Sequence, residues 1–212
     1  MVATADPRAR ASMDEAPIRN RSSRAELLRG GACAAGLALA GVTAVGLPGV
    51  VGAAPSPEQD ERVLNLLLMV EYAEVGFYEA ALRGGTLSGE LESFAEIVAE
   101  HERAHLAVVR EALGSAAEPE PRHDFAAATG DPDAFADAAG RLEDLAVAAY
   151  NGQAANVTPK AFAAAARIVS VEARHAAWIR SIGDRPPAPD ATDQPKSAAE
   201  VREGLRKLGL QL

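Results

Sequence analysis

Two stretches of this chain place a carboxylate and an imidazole three residues apart: Glu102-Arg103-Ala104-His105 and Glu172-Ala173-Arg174-His175. On a helix, residues three apart share a face, so each stretch offers an anionic oxygen and a ring nitrogen together. The two copies lie 70 residues apart. Upstream of each stands a further acid followed seven residues later by a tyrosine: Glu71 before Tyr78, and Glu143 before Tyr150, the two acids 72 residues apart. The chain therefore reads as a doubled hairpin, each half contributing one Glu and then one Glu-x-x-His. Four carboxylates and two imidazoles match the charge and donor needs of two divalent cations. Oxygen and imidazole donors suit iron or manganese better than thiolate-seeking metals. The expected cofactor is a pair of divalent metal ions, iron first and manganese second.

A single glutamate on a helix is ordinarily a surface residue, so the case rests on the set and on its surroundings. One helical turn away, Glu71 meets Leu67, Leu68, Glu74 and Val75; Glu102 meets Val98, Ala99, His105 and Leu106. Glu143 meets Ala139, Gly140, Ala146 and Val147, and Glu172 meets Ile168, Val169, His175 and Ala176. No Lys or Arg stands among them. A lone carboxylate on such an apolar face costs several kcal/mol or takes up a proton, unless a cation compensates it. A Glu from each of two helices plus Glu-x-x-His from each of two others is the donor set of di-iron and di-manganese carboxylate bundles. Glu74 is read as a rim residue, or one backing the ligands, rather than a ligand. Tyr78 and Tyr150 are read as core-facing, either with hydroxyls beside the ligands or as ordinary packing aromatics. Trp178 and His123 are read as packing and loop residues.

His101-Glu102-Arg103-Ala104-His105 also spells the H-E-x-x-H of zinc proteases, in which both histidines bind metal and the Glu is a base. The repeat argues against that use: the second half keeps Glu172 and His175 but has Val171 where the first has His101.

Bringing these residues together requires four helices. Ser56-Pro57-Glu58-Gln59 opens the first with a cap, a proline at the first helical position and a capping-box Gln, and Gly84-Gly85 stops it. The second is expected over about 88–113, the third from Asp131-Pro132 to at least Tyr150, and the fourth from Thr158-Pro159 to Ile182. Short turns make each consecutive pair an antiparallel hairpin. The 114–130 link is long enough when extended to run the length of the bundle. The fold expected is all-α, a ferritin-like antiparallel four-helix bundle over 54–183 with a long crossover between helices two and three. A Pro-rich linker and a short amphipathic helix follow over 184–212.

Composition agrees. Hydrophobic residues make up 48% of the chain but aromatics only 4%, a balance that favours Ala-rich helices over β-sandwich strands. Of 21 basic and 30 acidic residues, the first 29 positions hold six and four, leaving 15 and 26 and a net charge of −11 for the rest. No basic stripe is present, which argues against nucleic-acid binding. The single cysteine, Cys33, excludes disulfides, cysteine-ligated zinc and iron–sulfur clusters. It lies in an uncharged run, 30–54, that follows Arg19, Arg21, Arg24 and Arg29 and ends in small residues. Residues 1–53 therefore read as an export signal cleaved after Ala53, or as a retained N-terminal membrane anchor. Ser23-Arg24-Ala25-Glu26-Leu27-Leu28-Arg29 looks like a twin-arginine motif with Ala25 in place of one arginine. Either way the working domain is expected outside the cytoplasm, in the periplasm, the cell envelope or the medium, with membrane contact only through this segment.

Leu68-Met69-Val70-Glu71-Tyr72-Ala73-Glu74-Val75-Gly76-Phe77-Tyr78 resembles the bacterial ferritin-like domain family, as do the two Glu-x-x-His stretches and Leu142-Glu143 leading to Ala149-Tyr150-Asn151-Gly152. That family also contains the plant desiccation-related proteins. The resemblance covers about 57–183 and implies a four-helix bundle with a di-iron site. Ferritins proper oxidise Fe(II) with O2 and store it; rubrerythrins often add a cysteine-ligated centre, which this chain lacks. An external electron donor is then expected for any turnover with O2 or peroxide. The leading functional expectation is iron oxidation or O2/peroxide redox chemistry. The alternatives are a non-catalytic envelope or stress-protection protein braced by its metals, and a bundle whose core takes a partner or lipid.

Overall fold

The computed structural model describes residues 55–212; the export-signal or anchor reading of 1–53, with Cys33, lies outside the described residues. Four long helices carry the fold: α1 (Pro57–Gly84), α2 (Gly89–Leu113), α3 (Pro132–Gln153) and α4 (Pro159–Ile182). Their starts follow local chemistry. The side chains of Ser56, Asp131 and Thr158 accept hydrogen bonds from first-turn N–H groups of α1, α3 and α4, and each cap is followed by proline. Ser88 makes no such bond at the start of α2. At the end of α1, Gly85 adopts φ 65°, the left-handed cap that a side chain would resist.

α1 pairs with α2 and α3 with α4, and the two hairpins meet through α1 against α3 and α2 against α4. Asp60 in the first turn of α1 accepts from the N–H (2.8 Å) and hydroxyl (2.6 Å) of Thr158 at the start of α4. Those two helices therefore start at the same end, and the bundle runs up-down-down-up. Such an order needs a connection that travels the full height. The side chain of Asn65 donates to the carbonyl of Ala116 and accepts from the N–H of Glu118. The ring of His123 lies over Gly76, where a Cβ would fall 2.8 Å from its Nε2. Phe125 meets Phe77 edge-on, and Thr129 reaches Gly84. The crossover thus climbs along α1 from Asn65 to Gly84, a rise of about 29 Å.

Two features go beyond the sequence expectation. The crossover is not merely extended: it holds a 3₁₀ turn (Gly114–Ala116), a strand β1 (Arg122–His123) and a helical turn (Ala126–Thr129). The C-terminal tail, moreover, does not stand apart from the bundle. Its helix α5 (Ala198–Leu208), opened by a complete Ser197/Glu200 capping box, buries Val201 and Leu205 entirely. It lies mainly against α3. Burying two such side chains contributes roughly 1.5–3 kcal/mol each. Strand β2 (Leu210–Gln211) then pairs antiparallel with β1, Arg122 opposite Gln211. Further up, the Lys196 N–H donates to the Ala148 carbonyl (3.0 Å), and its own carbonyl lies 1.9 Å from where a Cβ on Gly152 would be. Only glycine admits that approach. No helix among the described residues is long and apolar enough to cross a membrane.

Candidate metal centre

Each helix carries its acid near its middle: Glu71 on α1, Glu102 on α2, Glu143 on α3 and Glu172 on α4. In an antiparallel bundle, mid-helix residues lie at one level, so all four are brought to one layer of the core. All four are completely buried, and His105 and His175 nearly so. Most of the chain's scarce aromatic content is buried as well. Four of the five phenylalanines (Phe77, Phe94, Phe125 and Phe135) are buried, and Phe77 stacks on Phe135 at 5.3 Å.

The six side chains form two groups that share two members. Nδ1 of His105 lies 2.8 Å from Glu172, 2.9 Å from Glu102 and 3.9 Å from Glu71. Nδ1 of His175 lies 3.0 Å from Glu102, 3.4 Å from Glu143 and 3.5 Å from Glu172. Donor atoms within each four-residue set approach one another within 4.8 Å. Glu102 and Glu172 thus stand between two sites, while Glu71 and Glu143 each close one end.

The tyrosines are wired across the repeat. Tyr78, on the helix of Glu71, donates its hydroxyl proton to Oε1 of Glu143; Tyr150, on the helix of Glu143, donates to Oε1 of Glu71. Each end carboxylate is oriented by the other half of the molecule.

Whether this cluster suits metal ions can be judged from what the protein leaves unpaired. Oε2 of Glu71, Oε1 of Glu102, Oε2 of Glu143, both oxygens of Glu172 and Nδ1 of His175 are buried. Though some lie close to a ring nitrogen or carboxylate, none makes a well-formed hydrogen bond. Buried polar atoms are rarely left so, and an unmet ion is one of the few explanations. A ring nitrogen facing three carboxylates can give a proton to only one of them, whereas a cation at the point of convergence serves all. The residues present fit a di-metal pair.

The electrostatics carry the same strain. Burial pushes the Glu71 carboxyl well above the usual carboxylate range, and the charges of Glu172 and Glu102 add to it. Burial likewise takes Glu143 to about 8, with Glu102 and Glu172 contributing, against the pull of His175. For the histidines burial acts against the cation, but the carboxylates outweigh it. Glu102 and Glu172 raise His105 to about 10, and Glu102, Glu143 and Glu172 raise His175 to about 12. Glu172, despite its burial, is held below its ordinary value by His105 and His175.

Of the two readings of Glu74, the structure removes the rim and leaves the one that backs the ligands: it is completely buried, neither of its oxygens has a partner, and burial raises it well above the carboxylate range. The next causes of that rise are the charges of Glu172, Glu102, Glu143 and Glu71, so it is a fifth buried carboxylate within electrostatic reach of the other four. Its place three residues from Glu71, on the same face, was the signal for it. His101, set aside with the protease motif, touches the cluster through His175, Nδ1 to Nε2 at 2.9 Å. His123 stays on the crossover against Glu120, and Trp178 packs edge-on to Phe94 while donating to Glu90.

A family model described as the ferritin-like domain matches residues 59–184, more than half of the chain. No curated protein matches it.

Proposed function

The chain belongs to the ferritin-like domain family, and on that premise we propose an exported di-iron carboxylate protein that oxidises Fe(II) with O2 or peroxide. One observation carries the reading: two imidazole nitrogens each face three buried carboxylates, and seven carboxylate oxygens of the cluster, counting those of Glu74, make no well-formed hydrogen bond. Glu71, Glu102, Glu172 and His105 would hold one ion, and Glu102, Glu143, Glu172 and His175 the other. A bound pair of iron ions supplies Lewis acidity and one-electron redox steps at adjacent centres. The protein's own part is to fix the donors and exclude water. Tyr78 and Tyr150 hold the two end carboxylates in orientation through their hydroxyls. Phe77, Phe94 and Phe135, all buried, pack on Tyr78 and so keep bulk solvent from the side on which it meets Glu143. Electrons for repeated turnover come from outside the chain, whose single cysteine, Cys33, cannot ligate an iron–sulfur partner centre alone. Export rests on the charged and then apolar pattern of residues 1–53.

The test is anaerobic loading of chelator-stripped full-length protein with Fe(II), followed by O2. About two irons per chain, oxidised within seconds and accompanied by a near-ultraviolet band, are expected; absence of binding ends the reading. A second reading, a non-catalytic stress-protection protein braced by its metals, draws on the complete burial of the four ligand glutamates. It prevails if chelation lowers thermal stability while the iron-loaded protein leaves O2 and peroxide untouched.

A further inference from the structure

The two halves of the cluster are matched in ligand type but not in what stands behind them. His175 directs Nδ1 at the carboxylates and Nε2 outward, and that outer nitrogen meets Nδ1 of His101 at 2.9 Å. The two rings lie nearly parallel, 17° apart with centroids at 5.2 Å. His105 likewise directs Nδ1 inward. Its outer Nε2 has no hydrogen bond among the described residues. The residue one turn before His175, the counterpart of His101 in the repeat, is Val171, which offers neither donor nor acceptor. His101, Val171, His105, His175, Arg174 and Trp178 line a single surface cleft of about 370 Å3, so the pair sits at a flank where both ligand histidines border a cleft open to solvent.

We propose that His101 is a positioning residue for His175, and that it makes the two metal sites unequal, the His175 site binding its ion more tightly. The inference rests on the di-metal reading above. When Nδ1 of a neutral histidine is given to a metal, its remaining proton resides on Nε2. That N–H then donates to Nδ1 of His101, which fixes ring orientation and raises the basicity of the ligating nitrogen. Metal-bound histidines ordinarily take such a partner from a carboxylate, a carbonyl or water, and its loss lowers metal affinity by about 10–100-fold. Here the partner is a second imidazole on α2, supplied to one half of the repeat only. His101 itself is exposed, so its replacement leaves the buried layer intact.

Titration of stripped full-length protein with Co(II), followed by calorimetry and by the visible ligand-field bands, reads both sites separately. Wild type should take two Co(II) ions in two resolved steps. His101→Leu should weaken the tighter step by about 10–100-fold and leave the weaker one within twofold. His101→Asn, which keeps an acceptor near the same place, should recover most of the loss, and Val171→His should strengthen the weaker step. A wild type that binds no Co(II) overturns the di-metal reading itself. If instead wild type binds two ions, the proposal is overturned by an unchanged His101→Leu, or by equal loss at both steps without rescue by Asn.

Discussion

Replacing Tyr78 by Phe removes one oxygen from the core, and the geometry dictates where the loss is felt. The hydroxyl donates to Glu143 on α3 and makes no bond to Glu71 on its own helix. Glu143 is completely buried, and its other oxygen already lacks a well-formed hydrogen bond, so water cannot take over the vacated position. Glu143, raised to about 8, is mostly protonated in the stripped protein at neutral pH. Its bond to Tyr78 is therefore one between neutral groups and contributes about 0.5–1.5 kcal/mol, while a buried polar atom left alone costs about 1–3 kcal/mol. Tyr78→Phe should therefore destabilise the metal-stripped protein by roughly 2 kcal/mol, which for a domain of this size lowers Tm by about 4–8 °C. The decisive form is a double-mutant cycle in urea. Tyr78→Phe combined with Glu143→Met should be coupled by roughly 1–2 kcal/mol, and combined with Glu71→Met by less than about 0.5 kcal/mol. Tyr150→Phe should give the mirror result, coupled to Glu71 and not to Glu143. Coupling of each tyrosine to the glutamate of its own helix would refute the cross-wired arrangement.

Other outcomes follow from the same layer and its supports. Glu74→Met should raise the stability of the stripped protein by roughly 1–4 kcal/mol, because it removes a buried carboxyl with no partner; a fall in the urea midpoint would mean that Glu74 is paired. The stripped protein should also lose stability as pH rises. Glu143 goes from 4.5 to about 8 on folding, and His105 from 6.5 to about 10. Such raised groups hold excess protons in the folded state, so their contribution is complete below the unfolded pKa and is lost as pH climbs towards the folded one. Between pH 5 and 8 the slope should be about 1.4 kcal/mol per pH unit for each excess proton. Metal loading, which displaces those protons, should flatten it when Tm is followed by calorimetry. Gly152→Ala would drive a Cβ into the Lys196 carbonyl and should cost roughly 1–3 kcal/mol in the same urea assay, with the 184–197 segment becoming open to proteolysis. Wild-type resistance at that segment in the variant would contradict the close contact.

What the sequence disclosed, and what it withheld, divides along the range of the interactions. Helix ends were legible because Ser56-Pro57, Asp131-Pro132 and Thr158-Pro159 act within a single turn, and the helices begin at Pro57, Pro132 and Pro159. The buried cluster of acids and histidines was legible because the chain states it twice, and a repeat filters chance. The complete capping box inferred at Ser56 is present only in its serine half, since the bond recorded is from the Gln59 N–H to the Ser56 hydroxyl. The ordered crossover was hidden because it depends on Asn65, on Gly76 and on a strand at Leu210–Gln211, each far along the chain. The depth of Glu74 and the contact of His101 were hidden because neither recurs in the second half, where Ala146 and Val171 stand instead. The repeat that exposed the shared cluster concealed the features that make the halves differ.

The central claim is that Glu71, Glu102, Glu143, Glu172, His105 and His175 converge on two metal ions. Anomalous diffraction at the iron edge, from crystals of Fe(II)-loaded full-length protein, tests it most directly. Two peaks are expected in the mid-bundle layer, one among Glu71, Glu102, Glu172 and His105 and the other among Glu102, Glu143, Glu172 and His175. An iron-loaded crystal with no peak between those side chains, or with iron only on the acidic surface, would contradict it.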